Sequence, residues 1–175
     1  RVTRVSRLHS LRWKQQAYWH KFAMNNSRHF STHARIRARR AAVQALYQWH
    51  MTGDPLQDIL SEFESEQKRL SRVDRDYFKK LVSGVGEYKQ ELESLMAANL
   101  DRDVGQLDPV ERSILCLSVY ELVHQPDVPL RVVINESVEL AKMFGAEESY
   151  TYINGILDKV ARVTRRDETG NAVHS

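Results

Sequence analysis

The sequence is poor in the residues that mark secreted, membrane-spanning and metal-binding proteins. Its single cysteine, Cys116, cannot form an internal disulfide, so nothing suggests an oxidising compartment. No apolar run approaches the roughly 18 residues that span a bilayer, which argues against a membrane protein. Five of the seven histidines lie in the first 53 residues, and none stands close enough to Cys116 to form a Cys–His ligand pair. We therefore expect no metal site.

Catalytic motifs are also missing. Gly84 and Gly86 come nearest to a glycine-rich phosphate loop, but neither a preceding strand nor a third glycine accompanies them. Ser113 and Ser118 have no histidine placed to activate them. The apolar surroundings of Cys116 are typical of an inert core residue. The sequence predicts no catalytic residue and no cofactor.

Acidic residues are absent from the first 53 positions, which hold eleven of the lysines and arginines. The rest of the chain carries all 23 acids and the other 15 bases, so the formal net charge of +3 conceals a basic head on an acidic body. Such an asymmetry is typical of a local site for a polyanion rather than of a generally basic protein.

Residues 1–34 show no sustained hydrophobic period and begin without methionine. We interpret them as a flexible basic tail, followed by a folded domain at residues 35–166 and a polar tail at 167–175. Two origins of the basic tail stay open. It is either an extension upstream of a true start at Met24, or a transit peptide that would direct the protein to an organelle.

From residue 35 onward, apolar residues recur at helical spacing and predict an all-α fold of about seven helices in two small bundles. The run at 114–122 is apolar on more than one face, so we expect helix five to be central. The predicted apolar stripes lie within residues 38–49, 56–63, 78–85, 88–96, 114–122, 130–141 and 153–160.

Several residues predict where these helices begin and end. Asp54 and Asp108 each precede a proline and are predicted N-caps, and Ser149 is predicted to cap helix seven. Gly145 is predicted to end helix six in the left-handed conformation. Residues 130, 134, 138 and 141 are predicted to form the inward face of helix six.

Four arginines crowd the predicted start of helix one. Cations oppose the macrodipole at a helix N-terminus, so this placement predicts an external anion. The outer face carries Arg37, Arg40 and, behind them, an amide and a ring, whereas positions 35 and 39 lie nearer the core side. Guanidinium groups, an amide and a stacking ring together suit single-stranded RNA. The predicted RNA contacts in this helix are Arg35, Arg37, Arg39, Arg40, Gln44 and Tyr47.

Four ordered motifs resemble the NusB family of bacterial transcription antitermination factors. They are RxRRxAVQALYQW at 37–49, LDPVERSILCLSVYEL at 107–122, DVPLRVVINESVELAKMFG at 127–145 and YINGILDKV at 152–160. The resemblance implies a cytoplasmic, non-catalytic all-α protein that binds boxA RNA together with the ribosomal protein NusE. It also implies action with other Nus factors on RNA polymerase during transcription of ribosomal RNA operons.

The resemblance implies further site residues. Near the start of the last helix, Glu148, Thr151 and Tyr152 are implied RNA contacts, although Glu148 would equally suit the positive pole of a helix. Tyr150 lies about 200° from Tyr152 on a helix, and the apolar stripe predicts that it faces the core. Glu111, at the start of the central helix, is implied as a contact with NusE, with helix capping as its competing role.

Other interpretations stay open. Relatives commonly carry arginine at the position of Cys116, so any polar contact made there would be absent. The chain could also be the NusB-like RNA-binding module of a ribosomal RNA methyltransferase, which a longer reading frame would favour. A helical scaffold that binds no RNA is a third interpretation, and it predicts that the charge of helix one is dispensable.

Overall fold

The computed structural model describes residues 30–66 and 70–170, and the predictions for residues 1–29 and 171–175 lie outside it. The described residues form eight α-helices and a short 3₁₀ helix, with no strand within these ranges. The predicted all-α class is confirmed. The α-helices are α1 (Phe30–Thr52), α2 (Leu56–Ser65), α3 (Arg75–Glu87), α4 (Lys89–Ala97), α5 (Pro109–His124), α6 (Leu130–Phe144), α7 (Ser149–Thr164) and α8 (Arg166–Gly170), with the 3₁₀ helix at Val104–Gln106.

Helix α5 is central, as predicted. All ten residues from Ser113 to Leu122 are buried. It packs against α3 and α4 and also against α6 and α7, so it joins the two groups of helices. None of the described helices has both the length and the apolarity needed to cross a membrane.

Helix α1 begins at Phe30, five residues before the predicted start of the domain. The arginines at 35, 37, 39 and 40 therefore occupy its second and third turns rather than its first. Because the effect of the macrodipole falls off within the first turn, the predicted dipole penalty on these cations was wrong. An anion site here has to be argued from contacts instead.

Among the three predicted N-caps, Asp108 is confirmed and the other two are wrong. The carboxylate of Asp108 accepts hydrogen bonds from the backbone N–H groups of Val110 (2.8 Å) and Glu111 (3.4 Å). Helix α2 starts one residue later than predicted, and among the described residues no side chain caps it. Ser149 is the first residue of α7 rather than its cap, and the preceding residue adopts a left-handed φ of 76°.

Gly145 ends α6 with an extended backbone (φ −81°), so the predicted left-handed stop was wrong. Close packing explains the glycine instead. An added Cβ would lie 2.7 Å from the carbonyl oxygen of Ala141 and 2.9 Å from the Cβ of Ser149. The glycine therefore allows α6 and the start of α7 to approach each other.

The inward face of α6 differs from the predicted one. Val133 and Leu140 are buried, whereas Ile134 and Val138 remain partly exposed. The buried hydroxyls of Ser118 and Ser137 lie 2.6 Å apart and join this face to α5. A stripe drawn through apolar residues alone misses this polar contact, which is why the predicted face was rotated.

The end of the domain is held by Arg165, which lies buried between α7 and α8. Residues 166–170 form a short helix, where a polar tail had been predicted from position 167. The Glu168 carboxylate accepts hydrogen bonds from Arg165 (2.6 Å) and from the backbone N–H of Leu130 (2.8 Å). The Arg165 guanidinium also donates to the backbone carbonyls of Glu121, Leu122, Gln125 and Val128.

Candidate nucleic-acid interface

Arg37 and Arg40 lie on the outer side of α1, and Arg72, from the connection before α3, lies beside them. The Nε of Arg37 donates a hydrogen bond to the backbone carbonyl of Arg72 (2.7 Å). Burial lowers the pKa of Arg37, and the charge of Arg72 lowers it further. Burial also lowers the pKa of Arg40, where the charge of Glu136 acts in the opposite direction and that of Arg37 adds to the lowering. An incoming anion would offset both the lost hydration and the repulsion among these cations.

Arg39 does not belong to this surface. Its side chain is 3% exposed, and its guanidinium donates to both carboxylate oxygens of Glu121, at 2.8 to 3.1 Å. The hydroxyl of Tyr77 also hydrogen-bonds to Glu121. Burial alone would lower the pKa of Arg39, but the hydrogen bonds and charge of Glu121 outweigh it and raise the pKa. The predicted RNA contact at Arg39 is corrected to a buried ion pair between α1 and α5.

Arg35 is exposed but already engaged. Its guanidinium lies 4.8 Å from the centre of the Tyr77 ring, and its Nε is 3.7 Å from the carboxylate of Asp74. Exposed pairs of this kind contribute little to stability. Arg35 is therefore able to exchange Asp74 for a phosphate.

The two polar residues predicted behind the arginines have different surroundings. Gln44 is buried, so its predicted place on the outer face was wrong. Tyr47 is half-buried, and burial, followed by the charge of Asp108, raises the pKa of its phenol. The ring of Tyr47 keeps part of its surface for stacking.

The start of α7 exposes Glu148 and Thr151, as the predicted site requires. Tyr150 is 40% exposed and Tyr152 is half-buried, so the predicted inward position of Tyr150 was wrong. The loop after α4 carries Asp101, and it draws the neighbouring Tyr152 toward the protein. The hydroxyl of Tyr152 donates to Asp101 Oδ1 (2.9 Å), a contact over 51 positions that helical periodicity cannot reveal.

Asp101 and Arg102 fix the Tyr152 ring. The guanidinium of Arg102 lies 5.1 Å from the ring centre and forms two hydrogen bonds with the carboxylate of Asp101 (2.9 and 3.0 Å). The hydrogen bonds from Arg102 and then from Tyr152 hold the pKa of Asp101 below its usual range. These contacts favour the orientation in which the Tyr152 hydroxyl meets Asp101.

Glu111 connects the two groups of predicted RNA contacts. It does not complete the expected capping box, because its Oε1 accepts a hydrogen bond from the hydroxyl of Ser149 (2.8 Å). Ser149 directly follows Glu148, and Asp108 at the same end of α5 lies near enough to Tyr47 to raise its pKa. The start of α5 thus lies between Tyr47 and the start of α7.

Metal and thiol chemistry receive no support from the side chains. Within residues 30–66 and 70–170, no group of three or more His, Cys, Asp or Glu side chains is placed to hold a metal ion. Burial raises the pKa of the Cys116 thiol to about 12, so the reactive thiolate is not populated near neutral pH.

Comparison with known proteins identifies the family of this fold. The model of the NusB family matches residues 36–162. The chain belongs to the NusB family. The transcription antitermination protein NusB of Edwardsiella ictaluri is 49% identical over 132 residues, which are 75% of this chain and 94% of that protein.

Solved structures give the same result for the NusB fold. T. maritima NusB is 30% identical with a TM-score of 0.64, and the match covers 77% of this chain and 96% of that one. A crystal structure of the antitermination factors NusB and NusE in complex with double-stranded RNA is 28% identical with a TM-score of 0.66, covering 75% and 98%. The resemblance inferred from four motifs is confirmed.

Sequence reasoning missed residues that the fold brings to this surface. Arg72 adopts a left-handed φ of 61°, which is uncommon for a residue other than glycine. Asn99 and Lys159 line a depression together with Thr151 and Tyr152. Arg72 and Asn99 lie in connections between helices, outside every predicted stripe. Lys159 lies in the fourth motif, two turns after Thr151, so helical spacing could have grouped these two.

Proposed function

We propose that this protein is a transcription antitermination factor that binds boxA RNA together with the ribosomal protein NusE. In this proposal it acts by binding, with other Nus factors and RNA polymerase, to promote transcription of ribosomal RNA operons. The observation that carries the RNA-binding part is the cluster of Arg37, Arg40 and Arg72. The guanidinium groups of Arg37 and Arg40 are partly buried, and each is repelled by a neighbouring arginine, so both gain from a polyanion.

The surface divides into contacts of different kinds. Arg35, Arg37 and Arg40 contact phosphates, which position RNA without reading its sequence. Tyr47 stacks on a base, and such a contact is worth about 1 to 3 kcal/mol. Thr151 and Tyr152, with the neighbouring Glu148, form the second RNA contact at the start of α7.

The proposed contact with NusE is at Glu111. One carboxylate oxygen, Oε1, is occupied by Ser149 within the chain, so we assign the contact to Oε2. This contact lies beside the second RNA contact, because Ser149 joins Glu111 to the start of α7. RNA and NusE would therefore meet on neighbouring parts of one surface.

Binding of labelled single-stranded boxA RNA, with and without NusE, tests the proposal across a range of salt concentrations. We expect the double variant Arg37→Ala/Arg40→Ala to weaken binding and to reduce the slope of log affinity against log salt by about 1 to 2. The control is Arg131→Ala/Arg162→Ala, which removes the same charge from exposed positions at the far ends of α6 and α7.

Tyr47→Ala separates stacking from charge in the same assay. It should weaken boxA binding by about 5- to 150-fold while leaving the salt slope unchanged, and Tyr47→Phe should retain most of the affinity. RNA binding that is equally strong in the Arg37→Ala/Arg40→Ala variant and in its control would refute the proposal.

A further inference from the structure

Gly155 lies in the middle of α7, where neither the backbone nor the packing requires a glycine. Its φ is not positive, and apart from the adjacent residues and the local backbone of α7, no atom of the described residues lies within 4 Å of an added Cβ. By contrast, a Cβ on Gly84 would overlap the ring of Tyr120. Glycine inside a helix costs about 1 kcal/mol relative to alanine. A contact with something outside the protein would explain why this position stays open.

The space beside Gly155 is a depression of about 280 Å³. Its walls come from α7 and from the loop after α4, and they include Thr151 and Tyr152, two of the predicted RNA contacts. Pockets for small ligands begin near roughly 300 Å³, so the depression suits a single base rather than a helix or a second protein.

Two polar side chains of the depression, Asn99 and Asp101, offer hydrogen-bond acceptors. Asn99 Nδ2 donates to the backbone carbonyl of Leu95 (3.0 Å), and this orients the amide so that Oδ1 remains to accept. The carboxylate of Asp101 accepts three hydrogen bonds from Tyr152 and Arg102, which leaves capacity for one more. Lys159 adds an exposed ammonium group at the rim.

This arrangement selects among RNA groups. A phosphate inside the depression would meet the negative charge of Asp101, whereas at the rim it would meet Lys159. An exocyclic amino group of cytosine or adenine would donate to the acceptors. The keto oxygen of uracil, at the same ring position as the cytosine amino group, would receive no hydrogen bond from Asn99 Oδ1 or from the Asp101 carboxylate.

We infer that the depression beside Gly155 is a subsite for one unpaired nucleotide of the bound RNA, with a base that carries an exocyclic amino group. The inference rests on the proposed function, because it specifies what the RNA contact at Thr151 and Tyr152 recognises. The base enters where a side chain at position 155 would stand, and its amino group donates to Asn99 Oδ1 and Asp101. Lys159 contacts the adjoining phosphate.

Oligocytidylate and oligouridylate of equal length test the subsite, because they differ at the amino and keto groups but carry the same charge. The parent protein should bind oligocytidylate about 3- to 10-fold more tightly. Gly155→Leu should remove this preference and weaken oligocytidylate binding at least about fivefold, while its melting temperature equals or exceeds that of the parent. The control Ser83→Leu places a leucine at an exposed position of α3 outside the depression, and this variant should bind as the parent does.

Lys159→Gln provides a second variant that leaves the helix and the depression in place. It should lower the salt slope by about 0.7, the loss of one single-strand phosphate contact. The control Lys80→Gln removes an exposed lysine of α3 and should leave the slope unchanged.

Two results would overturn the subsite. One is equal affinity of the parent for the two oligonucleotides, and the other is a Gly155→Leu variant that binds as Ser83→Leu does. Failure of the proposed function is a separate result, since there Arg37→Ala/Arg40→Ala would bind boxA RNA as its own control does. If that arginine variant loses binding while Gly155→Leu retains it, the subsite alone is wrong.

Discussion

The inner and outer faces of α1 both carry arginine, but the side chains meet opposite surroundings. Arg39 reaches a carboxylate from α5, and this partner raises its pKa in spite of burial. Arg40 is its neighbour in the sequence, yet burial lowers its pKa and the charge of Arg37 adds to the lowering. An arginine-rich motif therefore does not assign its members to RNA. The acceptors that the rest of the fold supplies decide which arginines are structural.

The largest expected effect is on the free energy of unfolding, and it separates Arg39 from Arg40. Arg39→Ala leaves Glu121 charged and buried without its partner, and we expect a loss of about 3 to 5 kcal/mol in the free energy of unfolding. Arg40→Ala should lower it clearly less than Arg39→Ala does, because the Arg40 side chain is partly exposed. Urea denaturation followed by circular dichroism measures both.

The effects on RNA affinity should be the opposite of the effects on stability. Arg40→Ala should bind RNA more weakly, and the folded fraction of Arg39→Ala should bind RNA as the parent does. The double variant Arg39→Met/Glu121→Leu replaces the buried pair by apolar residues and should recover most of the lost stability. An Arg39→Ala variant that is stable but binds RNA poorly would contradict the assignment of Arg39 to the structure and Arg40 to RNA.

The second expected effect concerns the other buried arginine. Arg165→Ala leaves carbonyls at the end of α5 without their donor, and we expect a loss of about 3 kcal/mol in the free energy of unfolding. Arg162→Ala, at an exposed position of α7 three residues earlier, is the matched control and should be nearly neutral. Equal stability of these two variants would contradict a structural role for Arg165.

The smallest expected effect concerns the protonation of His50, whose partly buried ring also lies near cationic side chains. Burial, followed by the charges of Arg112 and Lys89, lowers the pKa of His50 to about 4. The unfolded chain binds this proton below about pH 6.5, so folding stability should fall as pH drops from 6.5 toward 4. We expect a loss of about 2 kcal/mol, less than the full shift implies, because the ring is partly exposed.

His50→Gln isolates the contribution of this histidine. Glutamine has no titrating group here, and its amide retains a polar partner for the Ser113 hydroxyl, which lies 3.1 Å from His50 Nδ1. The difference in unfolding free energy between parent and variant should shrink by about 2 kcal/mol between pH 7 and pH 4.5. A difference that stays constant with pH would contradict the lowered pKa.

Local signals in the sequence predicted most of the fold. The Asp108 cap depends only on residues 108 to 111, and the buried stripe of α7 only on helical spacing, so both were found. Arg39 was misjudged because its partner lies 82 positions away. The orientation predicted for Tyr150 was wrong because the neighbouring Tyr152 bonds to Asp101, 51 positions away. Ser149 failed as a cap because its hydroxyl bonds to a different helix.

The candidate site was predictable in part for the same reason. The outer positions of Arg37 and Arg40 follow from helix geometry, but the approach of Arg72 depends on a turn between α2 and α3. Gly155 carried a signal that could have been used, since a glycine inside a predicted apolar stripe needs a reason. Only the structure shows that packing does not supply one.

The position of Arg165 has a consequence for the synthesis of the chain. The carbonyls that it satisfies belong to residues 121, 122, 125 and 128, which leave the ribosome some forty positions earlier. Until the guanidinium arrives, these acceptors depend on water at a place that is buried in the finished domain, so the end of α5 is less stable. A nascent chain that stops before Arg165 has all of α5 and α6 but lacks this donor, and the domain gains its full stability only when its translation is nearly finished.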